Sequence, residues 1–107
     1  MNIHYTPKAQ QDLQDIKTYF ESDLQNPSAS NRILKEITQR IRTLEDFPKT
    51  GRKLSAIIGI ETDYRFLGSG SYLIFYRSDG DDIYIGRIIH GRRDYIAILF
   101  GEKPLED

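Results

Sequence analysis

No cysteine occurs among the 107 residues of the chain. That excludes a disulfide framework, a thiolate nucleophile and any cysteine-based zinc or iron–sulfur site, and it accords with a reducing cytoplasm. Long apolar runs are missing too. The longest, such as Tyr72 to Tyr76 and Tyr95 to Phe100, fall far short of the ~20 residues of a membrane helix, so no membrane partner is expected. The opening Met1-Asn2-Ile3-His4-Tyr5 has neither the basic nor the apolar region of a secretory signal. The mature protein is therefore expected to start here and to work in the cytoplasm. There is no glycine-rich phosphate loop, and His4 and His90 stand alone without metal-ligand spacing, so neither a cofactor nor a metal is expected.

An excess of basic charge is also lacking. Lys and Arg number 15 against 16 Asp and Glu, a formal net charge of -1, which argues against a general nucleic-acid binder. The distribution is uneven. Between positions 32 and 53 the cations Arg32, Lys35, Arg40, Arg42, Lys49, Arg52 and Lys53 face only Glu36, Glu45 and Asp46, which allows a local basic face.

What is present fits one domain over residues 1–107: 38% of the residues are apolar and 11% aromatic, enough for a single core. Asn2 to Tyr5 reads as a short strand. Thr6-Pro7 then starts a helix, with Thr6 as N-cap and Pro7 where its missing N–H costs nothing. Ala9, Leu13, Ile16, Phe20 and Leu24 form one apolar stripe, with Asp12 and Asp15 near the positive end of the helix dipole. Asn26-Pro27-Ser28 repeats the start signal, and Ala29, Ile33, Ile37, Ile41 and Leu44 carry a second stripe until Pro48. The short connection makes these helices an antiparallel hairpin.

Residues 48–53 form a basic turn, and 54–61 has no clear assignment. Three segments rich in aromatic and β-branched residues follow, 63–67, 71–78 and 82–90, separated by Gly68-Ser69-Gly70 and Asp79-Gly80-Asp81. They predict an antiparallel meander. Asp94 can cap a last helix over Tyr95 to Phe100, or the same residues can add a strand, with Ile96 and Leu99 expected in the core; residues 101–107 are a polar tail expected to fray. The fold class is thus α+β: an N-terminal strand and a two-helix hairpin packed on a mainly antiparallel sheet of about four strands, ending in a short helix or strand.

The order of these elements, with Thr6-Pro7-Lys8-Ala9, Asp12-Leu13, Ile16, Pro48-Lys49-Thr50-Gly51-Arg52, Tyr72-Leu73-Ile74-Phe75-Tyr76-Arg77 and Ile88-Ile89-His90-Gly91-Arg92-Arg93-Asp94, resembles the RelE/ParE toxin family of bacterial type II toxin–antitoxin modules. The resemblance covers nearly the whole chain. It implies a growth-inhibiting toxin held off by a cognate antitoxin, whose disordered C-terminal segment folds as it buries apolar toxin surface. The meander's edge strand and Tyr95 to Phe100 are candidates for that surface. RelE-like members cut messenger RNA on the ribosome, whereas ParE-like members poison DNA gyrase, and the shared fold does not choose between them.

The chemistry bears on that choice. Metal-free RNA cleavage needs a base, cations and an acid within reach of one phosphate. Arg65, Arg77, His90, Arg93 and Tyr95 are the candidates for an endoribonuclease site. Each has a plainer reading: His90 as a hydrogen-bonding strand end, Arg92, Arg93 and Asp94 as a solvated turn, Tyr95 as a packing residue with a wet hydroxyl. In the RelE-like nucleases the strand matching Tyr72 to Tyr76 commonly begins Tyr-Arg, and the arginine contacts the scissile phosphate; here that position is Leu73. The resemblance therefore favours the ParE-like branch, with Arg52, Lys53, Arg87, Arg92 and Arg93 as candidate target-binding residues and gyrase as the partner. The alternatives are a ribosome-dependent endonuclease and an inactive, toxin-like regulatory partner.

Overall fold

A computed structural model describes residues 1–101. The tail expected to fray lies, beyond residue 101, outside the described residues.

Strand β1 (Asn2–Tyr5) leads into helix α1 (Pro7–Thr18), whose start is fixed as its sequence predicts: the Thr6 hydroxyl oxygen accepts the Ala9 N–H at 3.2 Å. The apolar stripe implies a helix running on to Leu24, but the chain changes to a π-helical turn over Tyr19–Asp23, closed by a 3.0 Å bond from the Leu24 N–H to the Tyr19 carbonyl. The wider turn changes the angular step between side chains, so Phe20 still packs on the core while Tyr19 and Leu24 stay about half exposed. Gln25, at φ 50°, completes the reversal into helix α2 (Pro27–Arg42), which Asn26 caps through the Ala29 N–H. A 3₁₀ turn over Thr43–Glu45 ends it before Pro48.

Strand β2 (Arg52–Lys53) and helix α3 (Ser55–Ile58) occupy the region read as turn and unassigned chain. The meander follows as β3 (Arg65–Ser69), β4 (Tyr72–Asp79) and β5 (Asp82–His90). Gly70 and Gly80, at φ 58° and 63°, make its two turns in the left-handed region that favours glycine. Helix α4 (Tyr95–Phe100) closes the described chain and settles the helix-or-strand alternative: the Asp94 carboxylate accepts the Ala97 N–H at 3.3 Å.

The sheet has five strands rather than about four, in the order β1-β5-β4-β3-β2, and it is mixed. Strand β1 pairs parallel to β5, Asn2 beside Asp82, while every other pairing is antiparallel. The extra strand is β2, two residues long and held only against Arg65 and Phe66.

Side-chain alternation divides the sheet into two faces. Tyr72, Ile74 and Tyr76 of β4 join Leu67, Ile83, Ile85 and Ile88 under the helix hairpin, whose Ala9, Ile16, Ile37, Ile41 and Leu44 complete the main core. Each fully buried side chain of the size of Ile or Leu contributes about 1.5–3 kcal/mol to that packing. Phe75 and Ile89 face the other way and meet Leu54, with Leu73, Tyr95, Ile98 and Leu99 partly covering them. Of the two α4 residues expected in the core, Leu99 packs there; Ile96 is 37% exposed, because six residues of helix can turn only one face to the sheet.

A bulge in β5 lies opposite Phe75 and Tyr76, beside the start of α1. The Thr6 hydroxyl donates to the carbonyls of Ile85 and Gly86 at 2.9 and 3.0 Å, and the Asp12 carboxylate accepts the Ile88 N–H at 2.8 Å. Helix α1 and its cap thereby bond backbone groups of β5 at and beyond the point where β1 stops pairing with it.

Candidate functional site

Beyond β5 the chain folds into a tight, hydrogen-bonded turn. The Gly91 N–H donates to the Ser71 carbonyl at 2.8 Å, and the Arg93 N–H to the His90 carbonyl at 3.0 Å. The Arg92 N–H donates to His90 Nδ1 at 3.1 Å. With Nδ1 accepting, the neutral ring carries its proton on Nε2. The His90 ring lies edge-on to Tyr72, with 5.4 Å between centroids. Both line a cleft of about 730 Å³ between the hairpin tip and the sheet, walled by Ile16, Tyr19, Phe20 and Leu24, with Arg93 at its rim. Burial, and then the neighbouring Tyr19, push the Tyr72 hydroxyl above the usual tyrosine range.

Of the five nuclease candidates, His90 and Arg93 share this cleft. Tyr95 lies across the sheet, its ring 5.4 Å from Phe75 in the second layer. Arg77 is on that far face too, stacked 4.5 Å from the Tyr64 ring centroid and 3.7 Å from the Asp63 carboxylate. Arg65 is on the hairpin face, in register with Tyr76, so about 13 Å of strand separates it from the Tyr72–His90 row. Its Nη1 donates to the Gly51 carbonyl at 2.8 Å. Leu73 packs into the second layer, pointing away from His90.

The five target-binding candidates divide as well. Arg92 and Arg93 are exposed at the β5 turn, and Arg52 and Lys53 at the opposite edge of the sheet. Arg87 is engaged internally: its Nε and Nη2 donate to the two Asp12 oxygens at 2.8 and 2.9 Å, and that bond pushes the guanidinium further above its ordinary range. Its side chain is only 19% exposed, so Arg87 is a structural residue and not an open cation. Sequence reasoning placed Asp12 in the dipole of α1, and missed it as the partner that occupies Arg87.

It also missed the node around Tyr76. The buried Tyr76 hydroxyl accepts the Gly51 N–H and donates to the Pro48 carbonyl, both at 2.8 Å. The turn motif Pro48-x-x-Gly51 was legible, but nothing local tied it to a tyrosine on β4. Among the described residues no group of three or more His, Asp or Glu side chains is placed to hold a metal, and no helix is long and apolar enough to cross a membrane.

Comparison with known proteins agrees with this architecture. No curated protein matches the chain. A solved structure of the chromosomal ParDE TA system from P. aeruginosa aligns with a TM-score of 0.69 at 22% identity, over 84% of this chain and 95% of the other, and shares the fold. Residues 3–95 match the family model for the ParE toxin of type II toxin-antitoxin system, parDE. With the order of elements and the motifs that carry them, this match places the chain in the ParE toxin family of type II toxin–antitoxin systems.

Proposed function

We propose that this protein arrests growth by binding DNA gyrase in the cytoplasm, without cleavage chemistry of its own, and that a cognate antitoxin holds it inactive. One observation carries the reading: of the five candidate nuclease groups only His90 and Arg93 share a cleft, and the other three lie elsewhere. Acid–base cleavage requires its donor and acceptor about 3 Å from the same phosphate group. His90 and Tyr95 are on opposite faces of the sheet, Arg65 is bound to a loop carbonyl and Leu73 packs away from the cleft. The exposed cations Arg52, Lys53, Arg92 and Arg93 are the contacts we assign to the target.

For the antitoxin, the apolar side chains left open are the better guide. Strand β2 covers the first two residues of the meander's edge strand β3, so that edge is only partly available. Ile96 and Phe100 on α4, each 37% exposed, remain for a partner to bury, as do Tyr19 and Leu24 at the cleft.

The deciding experiment pairs two assays on the purified toxin: gyrase supercoiling of relaxed plasmid, and primer extension on messenger RNA during translation and on naked RNA. Inhibited supercoiling with intact message is the expected result. Cuts confined to ribosome-engaged message would overturn the reading and make His90 and Arg93 part of an active site.

A further inference from the structure

The loop between α2 and β2 is held from inside the protein. Three bonds reach its backbone from the sheet: Gly51 N–H to the Tyr76 hydroxyl, the Tyr76 hydroxyl to the Pro48 carbonyl, and Arg65 Nη1 to the Gly51 carbonyl, each 2.8 Å. Gly51 is itself buried against this node. A Cβ there would lie 2.5 Å from the Tyr76 hydroxyl oxygen and 2.9 Å from the Phe66 carbonyl, so no side chain fits. A fourth bond, Thr50 N–H to the Phe47 carbonyl at 3.1 Å, closes the turn.

Residues 47–53 carry one aromatic side chain, three cations and no carboxylate. Phe47 is 66% exposed, more than any other large apolar side chain among the described residues. In the same loop and strand Lys49, Arg52 and Lys53 are exposed, none in an ion pair among the described residues, and Arg52 lies 6.0 Å from the Phe66 ring centroid. Over residues 40–53 five cations meet two carboxylates, in a chain whose net charge is -1. The rest of the sequence has 10 cations against 14 carboxylates, the reverse balance. Strand β2 is also the outermost of the sheet, with one backbone edge unpaired among the described residues.

We propose that residues 47–53 are a preformed docking platform for an acidic segment of a partner polypeptide, with Phe47 as apolar anchor and Tyr76 as the positioning residue. The proposal deepens the binding function above and rests on it in taking a polypeptide as occupant. The layout favours a polypeptide over a nucleic acid. Arg52 is in register with Phe66 and Lys53 with Arg65, so the two cations point to opposite faces of the sheet edge and do not form the continuous stripe that a phosphate backbone follows. An acidic strand laid along the edge has alternating side chains that meet both. Preordering the loop lowers the conformational cost of binding.

The test uses the purified 107-residue chain and a fluorescein-labelled peptide of alternating Glu and Leu, read by anisotropy at low and high salt. Neither gyrase nor antitoxin is present, so the result stands apart from the supercoiling assay. Lys49→Glu combined with Arg52→Glu and Lys53→Glu should weaken binding about tenfold and remove most of its salt dependence, each exposed charge contributing a few-fold. Phe47→Ser should weaken binding and keep the salt dependence. Tyr76→Phe, which changes no charge, should also weaken it, while the core variant Ile83→Val leaves affinity intact although it too lowers stability. Unaltered affinity in the charge-reversed protein would overturn the proposal, as would stronger competition from oligothymidylate than from unlabelled peptide, or equal losses in Tyr76→Phe and Ile83→Val.

Discussion

Asp12 and Arg87 form a two-point ion pair that fastens α1 to β5, with both contacts under 3 Å and the carboxylate side chain only 8% exposed. The same carboxylate accepts the Ile88 N–H, so one side chain satisfies a guanidinium and a backbone donor at the bulge. Removing one member strands the other in a poorly hydrated place. Arg87→Ala should therefore cost about 3 kcal/mol in urea unfolding, near the lower end for a broken buried pair. In the double variant with Asp12→Ala the cost should fall well short of the sum of the singles. Additive losses would mean that the two residues do not depend on each other.

Tyr76→Phe should destabilise by about 1–3 kcal/mol, because it leaves the Gly51 N–H and the Pro48 carbonyl without their partner. Gly51→Ala should cost at least as much, through overpacking. Deleting the hydroxyl should not rescue Gly51→Ala, since the ring carbon Cε1 would still lie 2.6 Å from the new Cβ. Denaturant midpoints of the two singles and the double variant check both expectations.

Much of the fold is legible because its signals are local. Thr6 and Asn26 each cap a helix through a residue three positions on, and Gly70 and Gly80 stand at the turns they predict. What was missed depends on distant partners. Strand β2 is two residues whose pairing exists only because β3 lies beside it. The π-helical turn broke an apolar stripe that was otherwise correctly read. At the site, period-two alternation correctly put Leu73 with Phe75, and away from Tyr72, Ile74 and Tyr76. It said nothing of Tyr95, whose face is decided by the turn after His90, nor of Arg87, whose partner is 75 residues away. Charge in a sequence identifies cations; only the fold says which are already engaged.

Three tyrosines set an alkaline limit on stability. Burial is the leading cause that pushes the hydroxyls of Tyr5, Tyr72 and Tyr76 above the ordinary value of 10.0. In the unfolded chain these groups lose their protons near pH 10, while the folded protein keeps them to higher pH. The folded state then binds more protons, so stability is whole below about pH 10 and declines as pH rises past it. Phenolate absorbance should lag behind that of free tyrosine for these three groups, and Tyr76→Phe should reduce the lag. A titration in step with free tyrosine would contradict the burial that defines the core.

His90→Gln separates a binding toxin from a nuclease most directly. In the folded protein His90 Nδ1 accepts the Arg92 N–H, a contact that a glutamine side-chain carbonyl can also make, so the turn carrying Arg92 and Arg93 should keep its shape. Glutamine does not titrate, however, and cannot pass a proton at any pH near neutrality. General acid–base catalysis contributes about 10²–10⁴-fold to rate, so a nuclease that relied on His90 would lose nearly all toxicity. We expect growth arrest after induction without antitoxin to be unchanged in His90→Gln and weakened in the Arg92→Glu, Arg93→Glu double variant. Survival of the His90→Gln strain, with the protein folded and present at the normal level, would instead place proton transfer at this ring.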